Sequence, residues 1–261
     1  MTYEHFGTIG LAETDTLSRG YDDIAEQTAM YPAFYQWVRR GLARLGSTRG
    51  ASLLDVGCGT GRTLEEVSKL DVYSLAGVDF SQRCVEIAQE RMPSADIHQA
   101  SIMDGPLDRK FDVVLMSEVV EHLPDPVAGL RNVVASLQPG GKFVLTFPNK
   151  LAFWPWFYLR PLERFMPKGR ALHWFRWFTM PCEMWSHQPI DHAYTTPEMR
   201  GFLESVGLRI TAEDGFRAWP MWRIAGLDPL TRVVDAAEAA LGPFLPKWIF
   251  YRYMFICELP S

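Results

Sequence analysis

The sequence predicts an α/β protein whose core is a mostly parallel β-sheet with helices on both faces. Short apolar runs alternate along the chain with amphipathic stretches, the pattern of repeated strand–helix units. One apolar run, Leu53–Val56, leads directly into a glycine-rich turn, as a buried strand does before a tight connection. The 261 residues, 48% of them hydrophobic, suffice for one such domain with insertions or for one domain plus a small subdomain.

The elements of the first half follow in order. A polar stretch precedes an amphipathic helix over Tyr31–Leu45, which Gly46 ends. Five strands are predicted, at Ser52–Val56, Ser74–Asp79, Asp96–Ala100, Phe111–Ser117 and Lys142–Phe147. Three helices connect them, at Thr63–Leu70, Gln82–Arg91 and Pro126–Leu137. We expect Pro139-Gly140-Gly141 to form a stop and a turn before the fifth strand, and the crossovers to be right-handed.

The second half adds further elements after a long connection. A helix begins near Thr196 with Pro197 in its first turn and ends at Gly207. Then follow a strand at Leu208–Phe216, a helix near Pro229–Leu241 and a strand at Trp248–Glu258. The predicted division of the chain is an N-terminal segment 1–30, a ligand-binding core 31–148, an insertion 149–195, and a C-terminal part of the core 196–261 with a small insertion 218–247.

Composition excludes several functional classes. A net charge of −5 argues against a nucleic-acid-binding protein. The four cysteines are scattered without a C-x-x-C pair, which predicts reduced thiols and neither disulfides nor a zinc site. The first residues lack the apolar segment of a signal peptide, and no run of apolar residues is long enough to span a bilayer. We therefore expect a cytoplasmic protein.

The glycine-rich turn predicts a nucleotide-like ligand. Its spacing is G-x-G-x-G at Gly57, Gly59 and Gly61, which differs from the G-x-G-x-x-G of dinucleotide sites and from the P-loop. Asp55 precedes it and would repel a pyrophosphate, whereas it suits a ligand that carries an ammonium and a sulfonium. Asp79 ends the second strand eighteen residues after Gly61, the usual distance for a carboxylate that binds the two ribose hydroxyls.

The string LLDVGCGTG at residues 53–61, together with Asp79, resembles the class I S-adenosylmethionine-dependent methyltransferases over about residues 31–148. The motif pattern is most similar to that of small-molecule and ubiquinone-biosynthesis O-methyltransferases. The resemblance implies a Rossmann-like sheet of seven strands, the last one antiparallel, and S-adenosyl-L-methionine as the cofactor.

The resemblance also implies which residues bind that cofactor. Asp79 would hold the ribose and Phe80 would pack on the adenine. Ser101 lies where the family often has an acid that contacts the adenine amino group, so the serine is a departure. The full predicted set is Asp55, Gly57, Cys58, Gly59, Gly61, Asp79, Phe80, Ser101, Ile102, Ser117 and Glu118, of which the last two would lie beside the methionine part.

The stretch S-E-V-V-E-H-L-P-D-P contains Glu118, Glu121 and His122, which would share one face of a helical turn. Two carboxylates and an imidazole can bind a divalent ion, and some ubiquinone-biosynthesis relatives are thought to hold one here. The same string occurs in methyltransferases that need no metal, where these side chains shape the methionine pocket. We predict no metal, with the ion as the alternative.

Two histidines are candidate catalytic bases. His192 begins H-A-Y-T-T-P-E, which resembles the H-x-x-x-[ST]-P-E segment that faces the acceptor in many small-molecule methyltransferases. An imidazole titrates near neutral pH and so suits proton removal. His122 is the second candidate. The alternative for His192 is that it only ties its loop to the following helix.

The insertion 149–195 is unusually aromatic and basic. Residues 150–178 contain ten aromatic side chains, six basic ones and a single acid, Glu163. Three interpretations remain open: the aromatics form the insertion's own core, they dock on an anionic membrane surface, or they line a lid over an apolar acceptor. We expect an aromatic-rich cap.

Together these observations predict a methyltransferase that transfers a methyl group to a heteroatom, oxygen before nitrogen, of a small, lipophilic, apolar or aromatic acceptor. The alternatives are an N-methyltransferase of a small molecule or lipid head group, and a non-catalytic cofactor-binding or membrane-peripheral protein. No nucleic-acid partner is expected, whereas contact of residues 150–178 with an anionic membrane is an option. The sequence gives no prediction of the oligomeric state.

Overall fold

The computed structural model describes residues 32–46, 50–71, 74–150, 192, 194–216 and 240–261. The predicted N-terminal segment, almost all of the insertion 149–195, and most of the second insertion with its helix near Pro229–Leu241 lie outside the described residues.

Within the described ranges, seven strands form one sheet. They are β1 (Ser52–Val56), β2 (Ser74–Asp79), β3 (Asp96–Gln99), β4 (Phe111–Ser117), β5 (Leu137–Pro148), β6 (Arg209–Phe216) and β7 (Arg252–Glu258). Their order across the sheet is β3-β2-β1-β4-β5-β7-β6. Only β7 runs against its neighbours, since it pairs antiparallel with both β5 and β6. The predicted Rossmann-like, mostly parallel sheet with an antiparallel last strand is confirmed.

The helices follow the local sequence. They are α1 (Pro32–Ala43), α2 (Arg62–Val67), α3 (Gln82–Arg91), α4 (Pro126–Ala135) and α5 (Thr196–Ser205). Side-chain caps fix three of their starts: Ser81 caps α3, Asp125 caps α4, and Thr195 forms a capping box with Glu198 at α5. Because these bonds satisfy backbone amides that the helix leaves free, the loops at this edge of the sheet have defined ends.

Two hydrophobic cores lie on opposite faces of the sheet. Adjacent residues of β1 show this directly, since Leu53 packs in the core with α1 and α3 whereas Leu54 packs in the core with α4 and α5. All four of these helices contribute fully buried side chains. The prediction of helices on both faces is therefore confirmed.

Some predicted boundaries are wrong. Strand β5 starts at Leu137, because Leu137 pairs with Phe111 and a register shift lets the strand pass through the proline–glycine segment. Strand β7 starts only at Arg252, since Lys247–Ile249 forms a 3-10 turn after Pro246. The predicted Pro139-Gly140-Gly141 stop is thus an irregular part of β5, with Gly140 at φ 74°.

Shorter differences occur at helix ends. Helix α4 ends at Ala135 because Leu137 already belongs to β5, and α2 ends at Val67 in a turn closed by the Leu70 amide on the Val67 carbonyl. No helix within the described ranges is long and apolar enough to cross a bilayer.

The topology brings distant segments to one edge of the sheet. The carboxyl ends of β1, β2, β4 and β5 lie there, and because β7 is antiparallel, its first residue Arg252 lies opposite Pro148 at the end of β5. Beyond that point Asn149 forms a parallel bridge with Tyr194. Open α/β sheets bind ligands at this edge.

Candidate functional site

The glycine turn after β1 is fixed to the neighbouring strand. The amides of Gly57 and Cys58 donate to the Val78 carbonyl at 2.7 and 3.0 Å. The Gly59 amide donates to the Asp79 carboxylate at 2.8 Å. Residues of both sequence motifs therefore meet at the tips of β1 and β2, as the sequence predicts.

The three glycines have different surroundings, although all have positive φ. A Cβ atom at Gly57 would lie 2.3 Å from the Val119 side chain, and one at Gly61 would lie 3.1 Å from Ala88 of α3. At Gly59 no described atom lies within 4 Å of that position. Gly57 and Gly61 thus permit packing inside the protein, whereas Gly59 is the one of the three with open space beside its backbone among the described residues.

Asp55 is a buried acid that has no compensating partner among the described residues. Its side chain is 1% exposed, and neither carboxylate oxygen accepts a hydrogen bond from any described residue. Burial raises the pKa of Asp55 well above its ordinary value, and the nearby charge of Asp79 raises it further. A buried acid in this position suits a cationic ligand, because a cation would replace the water that the carboxylate has lost.

Cys58 lies in the same buried, acidic environment as Asp55. It is buried, and burial, Asp55 and Asp79 all raise the pKa of its thiol. A thiol held in its neutral form is a poor nucleophile, so Cys58 contributes its backbone to the turn and its side chain to packing.

The adenine side of the predicted site lies at the ends of β2 and β3. Asp79 accepts the Ser81 amide at 2.9 Å, and its own carbonyl accepts the Ala100 amide at 3.0 Å. Ser101 is half-buried and accepts the Met103 amide at 3.2 Å, whereas Ile102 points into the core and its carbonyl accepts the Asn132 amide group at 2.7 Å. Half-buried Phe80 follows Asp79 directly. Their contacts with the cofactor stay predictions.

The tip of β4 carries a polar network that the sequence predicted only in part. Ser117 and Thr146 hydroxyls lie 2.9 Å apart, and Thr146 donates to the Glu118 carboxylate at 3.0 Å. The other oxygen of Glu118 pairs with Arg252. Burial raises the pKa of Glu118, and Arg252 and Thr146 oppose that shift. Arg252 is 134 positions away from Glu118, so no local sequence pattern indicated the pair.

The two predicted catalytic histidines are distant in the sequence but meet at one turn. Val120–His122 forms a 3-10 turn, and the Glu121 carbonyl accepts the His192 amide at 2.8 Å. The His122 ring nitrogen lies 3.9 Å from the Glu121 carboxylate. The chain on either side of the insertion is also joined, since the Lys150 amide donates to the Tyr194 carbonyl at 2.8 Å.

That this turn binds no divalent ion stays a prediction. Within the described ranges, no three side chains of His, Cys, Asp or Glu are grouped as an ion would require. Glu118 pairs instead with Arg252, and Glu121 is buried.

Comparisons with known proteins agree with this geometry. A family model for a methyltransferase domain matches residues 31–213, more than half of the chain. A ubiquinone biosynthesis O-methyltransferase of Xanthomonas euvesicatoria is 33% identical over 147 residues, covering 52% of this chain and 59% of that protein. An O-methyltransferase of Aspergillus sclerotiorum is 30% identical over 132 residues, covering 48% and 50%. The chain thus spans about half the length of these curated relatives.

Solved structures show the same fold at low identity. A Haloferax volcanii methyltransferase, in complex with the Trm112 methyltransferase activator, matches with a TM-score of 0.66 and 19% identity over 94% of this chain and 98% of that one. The magnesium protoporphyrin IX methyltransferase of Synechocystis, with S-adenosylhomocysteine bound, gives 0.55 and 14% over 98% and 90%. The [4+2]-cyclase SpnF gives 0.60 and 16% over 95% and 96%. Because such similarity also reaches a cyclase, it shows the fold alone.

The residues present fit S-adenosylmethionine. The uncompensated Asp55 carboxylate suits a ligand with an ammonium and a sulfonium, and the space beside Gly59 lets its backbone approach that ligand. With the family model, the sheet order and this fit in agreement, the chain belongs to the methyltransferase-domain family and contains a domain of the class I S-adenosylmethionine-dependent type.

Proposed function

We propose that this protein transfers a methyl group to an oxygen of a small, lipophilic acceptor such as a phenol or a hydroxyquinone. The observation that carries the proposal is the junction of His192 with the Glu121–His122 turn at the ligand edge of the sheet. A hydroxyl acceptor must lose its proton as it is methylated, and an imidazole near the reacting oxygen can accept it. The relatives named O-methyltransferases support oxygen over nitrogen.

The cofactor side of the site would work mainly by binding and orientation. S-adenosylmethionine supplies a methyl group that its sulfonium already activates. Asp55 would face the ammonium, Asp79 the ribose hydroxyls, and the Gly59 backbone the space between them. Phe80, Ser101 and Ile102 would surround the adenine, and Ser117 would lie beside the methionine part. Holding the two reactants in line is the largest contribution that such a site can make.

On the acceptor side, His192 is the proposed base and His122 the second candidate. We further propose that the insertion 149–195 caps this side. Asn149 and Tyr194, joined by a backbone bridge, place both of its ends beside the histidine turn. The ten aromatic residues of its stretch 150–178 would give the acceptor an apolar environment and keep water from the reaction.

A panel of acceptors tests the proposal. Catechols and hydroxybenzoquinones, each with and without an alkyl tail, and an aromatic amine would be supplied with S-adenosylmethionine. We expect release of S-adenosylhomocysteine and an O-methylated product, with higher kcat/KM for the tailed acceptors, because an apolar cap binds the tail. Methylation of the amine alone, or a preference for acceptors without a tail, would contradict the proposal.

A second part of the proposal is that the basic residues of 150–178 meet an anionic membrane from which such an acceptor could be taken. Replacing Arg160, Arg164, Lys168 and Arg170 with glutamate should weaken binding to anionic vesicles by about 1 kcal/mol for each basic charge removed. Flotation with anionic and with neutral vesicles measures this. If the variant and the parent protein bind vesicles equally, the proposed membrane contact is wrong. The proposal of methyl transfer does not depend on this result.

A further inference from the structure

We propose that Arg252 and Glu118 form a positioning pair that holds Val119 against Gly57 and thereby shapes the amino-acid end of the cofactor site. The inference rests on the proposed function, because it assigns the space beside the glycine turn and Val119 to the methionine part of S-adenosylmethionine. Neither residue would touch the reacting atoms. Glu118, predicted from the sequence as a cofactor contact, would act through its backbone.

The first step of the argument is the conformation of Glu118. It is the one non-glycine residue with positive φ in the part of the chain that the structure describes, at φ 57°. An L-residue adopts this conformation only when its surroundings hold it there. Glu118 is held at three points: its amide donates to the Thr146 carbonyl at 3.1 Å, one carboxylate oxygen accepts the Thr146 hydroxyl, and the other pairs with Arg252.

The second step is that Arg252 is itself fixed. The residue is 8% exposed and lies at the start of β7, where it pairs with Pro148 and Phe216 in the sheet. Its guanidinium lies over the rings of Phe34 and Tyr251, at 5.5 and 4.9 Å from their centroids. A guanidinium confined between aromatic faces has few alternative positions, so it provides a rigid partner for the Glu118 carboxylate.

The third step is what this conformation does to the next residue. The Val119 side chain packs so closely over Gly57 that a Cβ there would lie 2.3 Å from it. Val119 is followed at once by the Val120–His122 turn that carries His122 and binds the His192 backbone. Because Glu118 directs the chain at this point, its backbone sets the positions of Val119 beside the glycine turn and of the histidine turn.

The experiment uses substitutions that separate backbone from side chain. Arg252→Met removes the charge and keeps the length of the side chain. Glu118→Gly removes the carboxylate but adopts positive φ without strain. The ligands are S-adenosylhomocysteine and methylthioadenosine, which lacks the amino-acid end, and titration calorimetry measures both affinities. Arg209→Met, which breaks the exposed Arg209–Glu258 pair on the same sheet, is the matched control.

We expect Arg252→Met to weaken S-adenosylhomocysteine binding by about tenfold or more and methylthioadenosine binding by less than about threefold. Glu118→Gly should stay within about threefold of the parent protein for both ligands, and adding it to Arg252→Met should restore the lost affinity. Arg209→Met should change neither affinity.

Two results would overturn the inference. If Glu118→Gly loses S-adenosylhomocysteine affinity as strongly as Arg252→Met, the carboxylate itself contacts the ligand. If Arg252→Met loses both ligands equally, the pair serves general stability. Should Arg252→Met fail to fold, Glu118→Gly alone decides between a backbone and a side-chain role. A parent protein that binds neither ligand would instead contradict the cofactor assignment on which the inference rests.

Discussion

The ligand edge of the sheet has two halves, and the acids in them differ in whether a cationic side chain lies beside them. At the tips of β1 and β2, Asp55 is buried without a partner in the part of the chain that the structure describes, and it lies near a second acid, Asp79. At the tips of β4, β5 and β7, the Glu118 side chain is 12% exposed, is neutralised by Arg252 and is bonded to Thr146. Burial raises the pKa of both Asp55 and Glu118, yet only Glu118 has a cation to oppose the shift.

The difference separates binding from positioning. A buried carboxylate without a partner lowers the stability of the free protein and gains a partner only when a cationic ligand arrives. A buried carboxylate with a partner holds the chain where it is. We therefore expect substitutions in the β1–β2 half to change cofactor affinity directly and those of the two histidines to change the rate of methyl transfer. Arg252→Met should change affinity indirectly, through the position of Val119.

The largest expected effect is on the rate, at His192. His192→Ala should lower kcat by about 100- to 10,000-fold, because the acceptor hydroxyl loses its base. S-adenosylhomocysteine affinity should be unchanged. Steady-state kinetics and calorimetry on the same samples test both statements, with His98→Ala, an exposed histidine on β3, as the control. A joint loss of rate and affinity would show that the two halves are not separable.

Asp55→Asn tests the binding half. Because a hydrogen bond between charged groups contributes about 1.5–3 kcal/mol, affinity for S-adenosylhomocysteine should fall roughly ten- to hundredfold. The Tm of the ligand-free protein should rise, since an uncompensated buried charge is removed. The control is Asp112→Asn, whose carboxylate accepts the Ser52 amide at 2.8 Å, and which should lower the Tm without changing affinity. A lower Tm in Asp55→Asn would mean that the acid has a stabilising partner.

The glycines of the turn also differ, since we expect Gly59 to affect cofactor affinity and Gly61 to affect stability. Alanine at Gly59 or Gly61 costs about 1–2 kcal/mol of stability because both need positive φ. Gly61→Ala should be the less stable variant, since its methyl group would also meet Ala88. Gly59→Ala should instead lose cofactor affinity, because its methyl group would fill the open space. Denaturant unfolding and calorimetry on the two variants give the comparison, and equal effects on affinity would contradict it.

The smallest expected effect is in the pH dependence of stability. Folding raises the pKa of Asp55, so its contribution to stability is present at low pH and is lost as the pH rises from about 4. Folding lowers the pKa of Asp112 through its bonds to Ser52, so its contribution is present at higher pH and is lost as the pH falls. In thermal unfolding of the ligand-free protein, the Tm of Asp55→Asn relative to the parent protein should rise with increasing pH. The Tm of Asp112→Asn relative to the parent protein should fall. Curves of Tm against pH that run parallel for the parent protein and both variants would contradict the pKa shifts of Asp55 and Asp112.

Local signals explain what the sequence predicted well. The bounds of β1, β2, β4 and α3 were predicted correctly because glycine, charged or capping residues lie at their ends. The site residues of the β1–β2 half share two short motifs, so Asp55, Asp79 and the glycines could be placed together. The structure confirms that they meet at one edge.

What the sequence could not show depends on contacts between distant residues. The partner of Glu118 is 134 positions away, and only the antiparallel pairing of β7 brings Arg252 to the ligand edge. The closeness of Gly57 to Val119 likewise depends on the pairing of β1 with β4. The predicted start of β5 was wrong because Leu137 already pairs with Phe111, across a register shift. The proline and glycine residues that follow Leu137 indicate a turn and not a strand.

The bridge between Asn149 and Tyr194 has a consequence for how such proteins diversify. The chain leaves the sheet at Asn149 and returns to it at Tyr194, and the backbone bonds of Lys150 and His192 fix the two ends of the connection between them. The entropy of closing such a loop rises only slowly with its length. If the connection forms the proposed cap, exchanging the residues between Lys150 and His192 would change the acceptor while His192 and the proposed cofactor site stay the same.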